Sequence, residues 1–106
     1  MHRLTISYSE PADAAGFEAD YRDAHVPLVG KLPGLRRFLV SHPRPLGPGE
    51  TPYLVAELWF DGADALKAAL RSPAGADTAA HAQEIVEKHG VASMAMATGE
   101  VEDVLP

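Results

Sequence analysis

Apolar and polar residues alternate in the opening stretch HRLTISYS, where Leu4, Ile6 and Tyr8 are set against Arg3, Thr5 and Ser7. A period of two marks a strand with two unlike faces, so strand 1 is expected here. The period then changes. After Pro11, placed to occupy a first helical turn, Ala14, Phe17, Tyr21, Ala24 and Leu28 recur at steps of three and four and predict a helix with one apolar stripe. On the opposite side Glu18 and Arg22 stand acid-first at i and i+4, the favourable order for a helical ion pair. Pro33-Gly34 forces a turn.

LRRFLVSH reads as strand 2, and RPLGPGETP as a hairpin connection too short to link domains. Strand 3, YLVAELWF, interleaves Leu54, Ala56, Leu58 and Phe60 with Tyr53, Val55, Glu57 and Trp59, so both of its faces are largely apolar. Asp61 is placed to cap a helix whose buried side is Ala65, Leu66, Ala69 and Leu70. Ser72-Pro73 is a second start signal, opening a segment that runs to His89-Gly90 and carries Glu84 and Lys88 as another acid-first pair. VASMAMATG supplies strand 4, small and apolar on both faces. The order βαββαβ predicts an α+β protein: a ferredoxin-like protomer with a four-stranded antiparallel sheet and its helices on one face. Two helices leave the other face bare, and an apolar face of that size does not stay in water. A homodimer, sheet against sheet, is therefore expected.

Composition narrows the picture. The 106 residues, 46% of them apolar, suit one domain spanning 1–106. No window resembles a membrane span, and MHRLTISYSE has no apolar core of a signal peptide, so a cytoplasmic protein with no membrane partner is expected. Without cysteine there is no disulfide, thiolate metal site, thiol nucleophile or iron–sulfur ligation. A formal charge of −6 argues against nucleic acid as a partner. Lys31, Arg36, Arg37 and Arg44 fall in a stretch free of acids between Asp23 and Glu50, an arrangement that usually marks a solvated face.

His25, in YRDAHVPLVGKLPG, is the first candidate for chemistry, because imidazole takes or gives a proton near neutral pH. Pro27 has no N–H and its ring clashes with the carbonyl of Asp23, so regular helix should end or kink close to His25, with Val26 pushed toward extended angles. Carbonyls orphaned by that break would orient one ring nitrogen and favour the charged form. The structural alternative is a half-buried cap. Tyr21, one turn back, would present its hydroxyl to a ligand as the stabiliser of oxyanion character, or else simply complete the stripe. Glu57, on a face with Val55 and Trp59, is the candidate acid for a barrel-facing site, or the partner of Arg3, Arg36 or Arg37. Trp59 and Tyr53 join it as candidate substrate contacts, with interface packing as the plainer reading.

Metal is not expected. His81 and His89 lie eight residues apart, about 12 Å of helical rise, and cannot share one ion. His81 with Glu84 at i and i+3 would need matching ligands from other helices to hold a metal, and His42 reads as a strand-end or loop residue. There is no Gly-x-Gly-x-x-Gly, and GKLPG is not a phosphate loop, so no cofactor is expected.

The motif Tyr21, His25, Pro27, Leu28, followed by Leu32-Pro33-Gly34 and later by TPYLVAELWFDGADALKAALRSP, resembles the EthD family of dimeric α/β-barrel proteins over roughly Leu4 to Val104. The resemblance implies a ferredoxin-like protomer whose sheet pairs with its two-fold mate into a barrel bordering pockets for a small hydrophobic ligand. The family takes its name from a protein encoded beside a cytochrome P450 system for ethyl tert-butyl ether degradation. A "reductase" function is often attached to its members, yet no redox cofactor motif is visible. Wider relatives include aromatic polyketide cyclases, muconolactone isomerases and cofactor-free monooxygenases, so fold alone does not fix the reaction. The expectation is an enzyme of isomerase, cyclase, decarboxylase or oxygenase type, acting without a cofactor on a hydrophobic or polyphenolic carbonyl compound, with His25 as acid/base and Tyr21 beside it. Its rival is a non-catalytic accessory protein holding a metabolite for a neighbouring enzyme.

Overall fold

Four strands pair antiparallel in the order β2-β3-β1-β4, in a computed structural model that describes residues 1–106. Along the chain these are β1 (His2–Tyr8), β2 (Arg37–Ser41), β3 (Leu54–Phe60) and β4 (Met94–Glu100). Between β1 and β2 lie α1 (Ala14–Asp20), a π turn (Tyr21–His25) and α2 (Val26–Val29). Between β3 and β4 lie α3 (Ala63–Arg71) and α4 (Pro73–Lys88). This is the α+β, ferredoxin-like sheet that the alternation predicts.

Register sets the core. Leu4 pairs with Leu58 and Tyr8 with Leu54, and these residues, with Ala56 and Phe60, are buried beneath the helices. Each leucine or phenylalanine so buried contributes about 1.5–3 kcal/mol of transfer free energy. The opposite face has the other parity: Arg3, Thr5 and Ser7 from β1, Val55, Glu57 and Trp59 from β3, Arg37 and Leu39 from β2. It is more polar than strands 3 and 4 alone predict, because β1 and β2 place Arg, Thr and Ser there.

Several helix starts differ from expectation. Helix α1 begins at Ala14, past Pro11, because the Asp13 carboxylate accepts the Gly16 N–H at 3.0 Å and caps the helix instead. Glu18 does not meet Arg22; it accepts the Tyr53 hydroxyl at 3.2 Å and pairs with His42. Asp61 is taken by a two-bond fork from Arg36, at 3.1 and 2.9 Å, and leaves Gly62 as the uncapped N-cap of α3. Lys88 reaches Asp20 at 3.2 Å, across to α1 and away from its expected helical partner Glu84. Ser72 behaves as expected: its Oγ accepts the Gly75 N–H at 3.1 Å and donates to the Ala69 carbonyl at 2.6 Å. At Gly75 a Cβ would lie 2.4 Å from that same carbonyl oxygen, so only glycine lets α4 fold back so tightly on α3.

No helix is long and apolar enough to cross a membrane.

Candidate active site around His25

Pro27 breaks the helix differently from the way its chemistry first suggests. The chain continues helically to Val29, and the missing Pro27 N–H is absorbed by the π turn, in which the Val26 N–H donates to the Tyr21 carbonyl five residues back. Val26 is helical, at φ −55° and ψ −47°, and is not extended. The extra residue taken up by the turn moves the buried stripe. Phe17, Tyr21, His25 and Val29 face inward at steps of four, while Ala24, expected on the stripe, is exposed. A regular helix would have left His25 at the edge of that face. The π turn makes it part of the core.

His25 is 1% exposed and lines a cavity of about 150 Å³ between the sheet and α4. Leu4, Ile6 and Leu58 form the sheet wall, Ala79 and Ala82 come from α4, and Met94 closes one edge. The lining is mostly aliphatic, which leaves little to stabilise a charge. Burial, and then the neighbouring His81, push the His25 pKa down from 6.5 to about 4, so the ring is neutral at pH 7. The expectation that helix-end carbonyls would favour its charged form is thus reversed. The ring nitrogen Nδ1 meets His81 and not a helix-end carbonyl.

The His25 Nδ1 lies 3.0 Å from the His81 Nδ1 of α4, with the two rings stacked at 18°. Only one of these nitrogens carries the shared proton, so the tautomers are linked. If His25 donates, its Nε2 is a bare base; if His81 donates, the His25 Nε2 carries a proton. Either way Nδ1 is occupied, and Nε2 is the nitrogen left for a ligand. His81 itself is only half-buried.

Tyr21 is buried against this pair, its ring 5.0 Å from that of His25, but it is not in the cavity wall. Burial raises its pKa beyond the ordinary tyrosine range, so it stays protonated. Another tyrosine lines the cavity. Tyr8 is fully buried, and its hydroxyl has no hydrogen-bond partner in the protein.

The remaining candidates are not brought to this cavity. Glu57 and Trp59 stand on the opposite sheet face, because their odd-numbered parity in β3 points them away from the helices. There Arg3 pairs with Glu57 at 3.4 Å, and Arg3 and Arg37 lie over the indole of Trp59 at 5.8 and 5.7 Å. Tyr53 borders a separate shallow groove with Glu18 and His42. No group of three or more histidine, aspartate or glutamate side chains is arranged to hold a metal ion.

Two features of the site escape a one-dimensional reading. His81 sits beside the α4 stripe Thr78, Ala82, Ile85 and His89, and its partner is 56 residues away, so spacing alone cannot find the pair. Tyr8 shares the inward parity of Leu4 and Ile6, and that alternation was the available signal.

The family model for the EthD domain matches residues 9–89. An uncharacterized 11.0 kDa protein of the thcB-thcC intergenic region in Rhodococcus erythropolis is 38% identical over 81 residues, 76% of this chain and 79% of that protein. Among solved structures, an ethyl tert-butyl ether d (EthD) family protein from Bacillus halodurans has a TM-score of 0.82 at 29% identity, covering 96% of this chain and 99% of that one. Two more remote structures share the fold. A dimeric ferredoxin-like protein of unknown function from Thermobifida fusca has a TM-score of 0.68 at 16% identity, covering 94% of this chain and 90% of that one. SnoaB, a cofactor-independent oxygenase from Streptomyces nogalater, has a TM-score of 0.67 at 18% identity, covering 99% and 96%.

Proposed function

The chain belongs to the EthD family, and from that premise we propose that it is a small-molecule enzyme in which His25 moves a proton on a hydrophobic, enolisable or phenolic carbonyl compound held in the cavity, without a cofactor. The observation that carries this reading is a neutral imidazole set in the wall of an apolar cavity with one nitrogen held from behind.

A buried base with a pKa near 4 holds a proton poorly on its own. The link to His81 supplies the remedy. With His25 donating through Nδ1, its Nε2 lone pair accepts the substrate proton while the Nδ1 proton passes to the Nδ1 of His81. His25 ends neutral, in the other tautomer, and the positive charge rests on the half-buried ring, from which solvent removes it. Tyr21 holds the face of the imidazole in this scheme.

The open sheet face is taken, on the same reading, as the surface that meets a second copy. Leu39, Val55 and Trp59 lie there with the small residues Ala95 and Ala97 of β4, and a face with such small side chains admits close sheet packing. The Thermobifida fusca protein is described as dimeric, and SnoaB as cofactor-independent. A binding-only role, as an accessory protein to a neighbouring enzyme such as a P450 system, is favoured by one observation: His25 is the only histidine, acid or basic residue in the cavity wall.

Deuterium wash-in at the α-carbons of cyclohexanone tests the two readings. The wild-type protein is expected to accelerate exchange over buffer, and His25→Ala to lose about 10²–10⁴-fold of that acceleration while remaining folded. Unchanged exchange in a folded His25→Ala variant refutes the base. A wild-type protein that retains a small ligand in native mass spectrometry yet exchanges nothing is an accessory binder. The same spectrum reports whether the protein is a dimer.

A further inference from the structure

We infer that the cavity selects a compound the size of a single ring bearing one oxygen function, and that the Tyr8 hydroxyl donates the hydrogen bond to that oxygen. The inference rests on the cavity being the working site.

Size comes first. The space is about 150 Å³, and an aliphatic cavity of roughly that volume in a protein interior takes up benzene. Its back walls are fixed. Leu4 and Leu58 belong to paired strands, and α4 is pinned close to α3 at Gly75, where nothing larger fits. Met94 and Met96 at the edge are adaptable and tolerate substituents on the ring, but a second fused ring needs the back wall to move.

Polarity follows. The Thr78 hydroxyl already donates to the Ala74 carbonyl at 2.8 Å, and Gln83 is exposed at the rim. That leaves His25 and Tyr8 as the polar groups of the inner wall. The Tyr8 ring is fixed edge-on against Phe17 at 5.4 Å and Tyr21 at 6.0 Å, so its hydroxyl cannot swing out to water. A buried hydroxyl without a partner is disfavoured in the empty protein, and an oxygen brought by a ligand relieves it. Burial raises the Tyr8 pKa to about 12, so at neutral pH it is a donor. The oxygen therefore goes to Tyr8 and the transferable proton to His25, the two ends of one small molecule.

Titrations of the full-length protein with phenol, toluene and 1-naphthol, followed by the methyl signals of Met94 and Met96, test this. Phenol is expected to saturate and to bind about tenfold more tightly than toluene. Tyr8→Phe should weaken phenol about tenfold and leave toluene unchanged, 1-naphthol should not saturate, and Ala79→Leu, which fills the cavity from α4, should abolish both single-ring ligands. Equal binding of phenol and toluene by the wild type, or an unaltered preference in Tyr8→Phe, overturns the hydroxyl's role. Saturation by 1-naphthol, or binding that survives Ala79→Leu, overturns the size class, and absence of any binding overturns the whole inference. Should Tyr8→Phe fail to fold, anisole, which accepts from Tyr8 but offers His25 no proton, decides: it should bind the wild type more tightly than toluene, and equal binding overturns the hydroxyl's role. Failure of the proton-transfer reading looks different: His25→Ala would keep both exchange and the phenol preference.

Discussion

His25 and His89 are the two histidines buried in this protein, at 1% and 5% exposure, and they are held in opposite ways. Both ring nitrogens of His89 are engaged by carboxylates of the α1 region, Nδ1 to Asp13 at 3.3 Å and Nε2 to Asp20 at 2.6 Å. It ties the end of α4 to the first helix. One nitrogen of His25 is engaged, by another imidazole, and the ring borders a cavity. Burial is common to both. A free nitrogen is what the proposed base has and the fastening lacks.

The comparison breaks first at His89. His89→Ala removes a buried ring together with its hydrogen bonds and is expected to lower stability by about 2–4 kcal/mol in urea unfolding, while the folded fraction keeps its phenol preference. A loss of ligand binding by the folded protein would mean that His89 shapes the site after all.

Next in size is a difference in pH dependence. The His25 pKa is lowered from 6.5 to about 4, so between these values the unfolded chain binds more protons than the folded one. Its contribution is complete above about pH 6.5 and is lost as pH falls toward 4, on the order of 3 kcal/mol. His25→Phe should flatten that window. Asp20 has its pKa lowered chiefly by the hydrogen bond from His89, then by Lys88. That contribution is present above the ordinary carboxylate range and is lost only as pH falls through and below it. Acid unfolding curves of the two histidine variants should therefore differ in position as well as in depth.

Smaller effects sharpen the contrast. Ser72→Ala removes the α4 cap and should lower stability by about 1 kcal/mol without altering the titration of His25. Smallest of all, Arg36→Gln breaks an exposed fork to Asp61 and should leave the urea midpoint of the protein unmoved within error.

Strands were legible because a period of two survives wherever one face is buried, as in Leu4, Tyr8, Leu54 and Leu58. The Ser72-Pro73 start was legible because its hydrogen bonds are local. The first helix was misread in phase: a 3.6-residue period places Ala24 inward, whereas the π turn provoked by Pro27 substitutes His25. The same proline that drew attention to the histidine concealed how deeply it is buried. Asp61 and Glu18 were assigned local partners and found distant ones, since Arg36 and Tyr53 approach only in the fold. The pairing of His25 with His81, and the isolation of the Tyr8 hydroxyl, exist only between elements. No spacing within one element encodes them.

Nitrogen-15 NMR of the histidine rings as a function of pH reads the central claim directly. His25 is expected to stay neutral from pH 8 to below pH 6, protonated on Nδ1 with Nε2 bare, and to titrate near 4. A His25 ring that is already cationic at pH 7, or that carries its neutral proton on Nε2, would contradict the account.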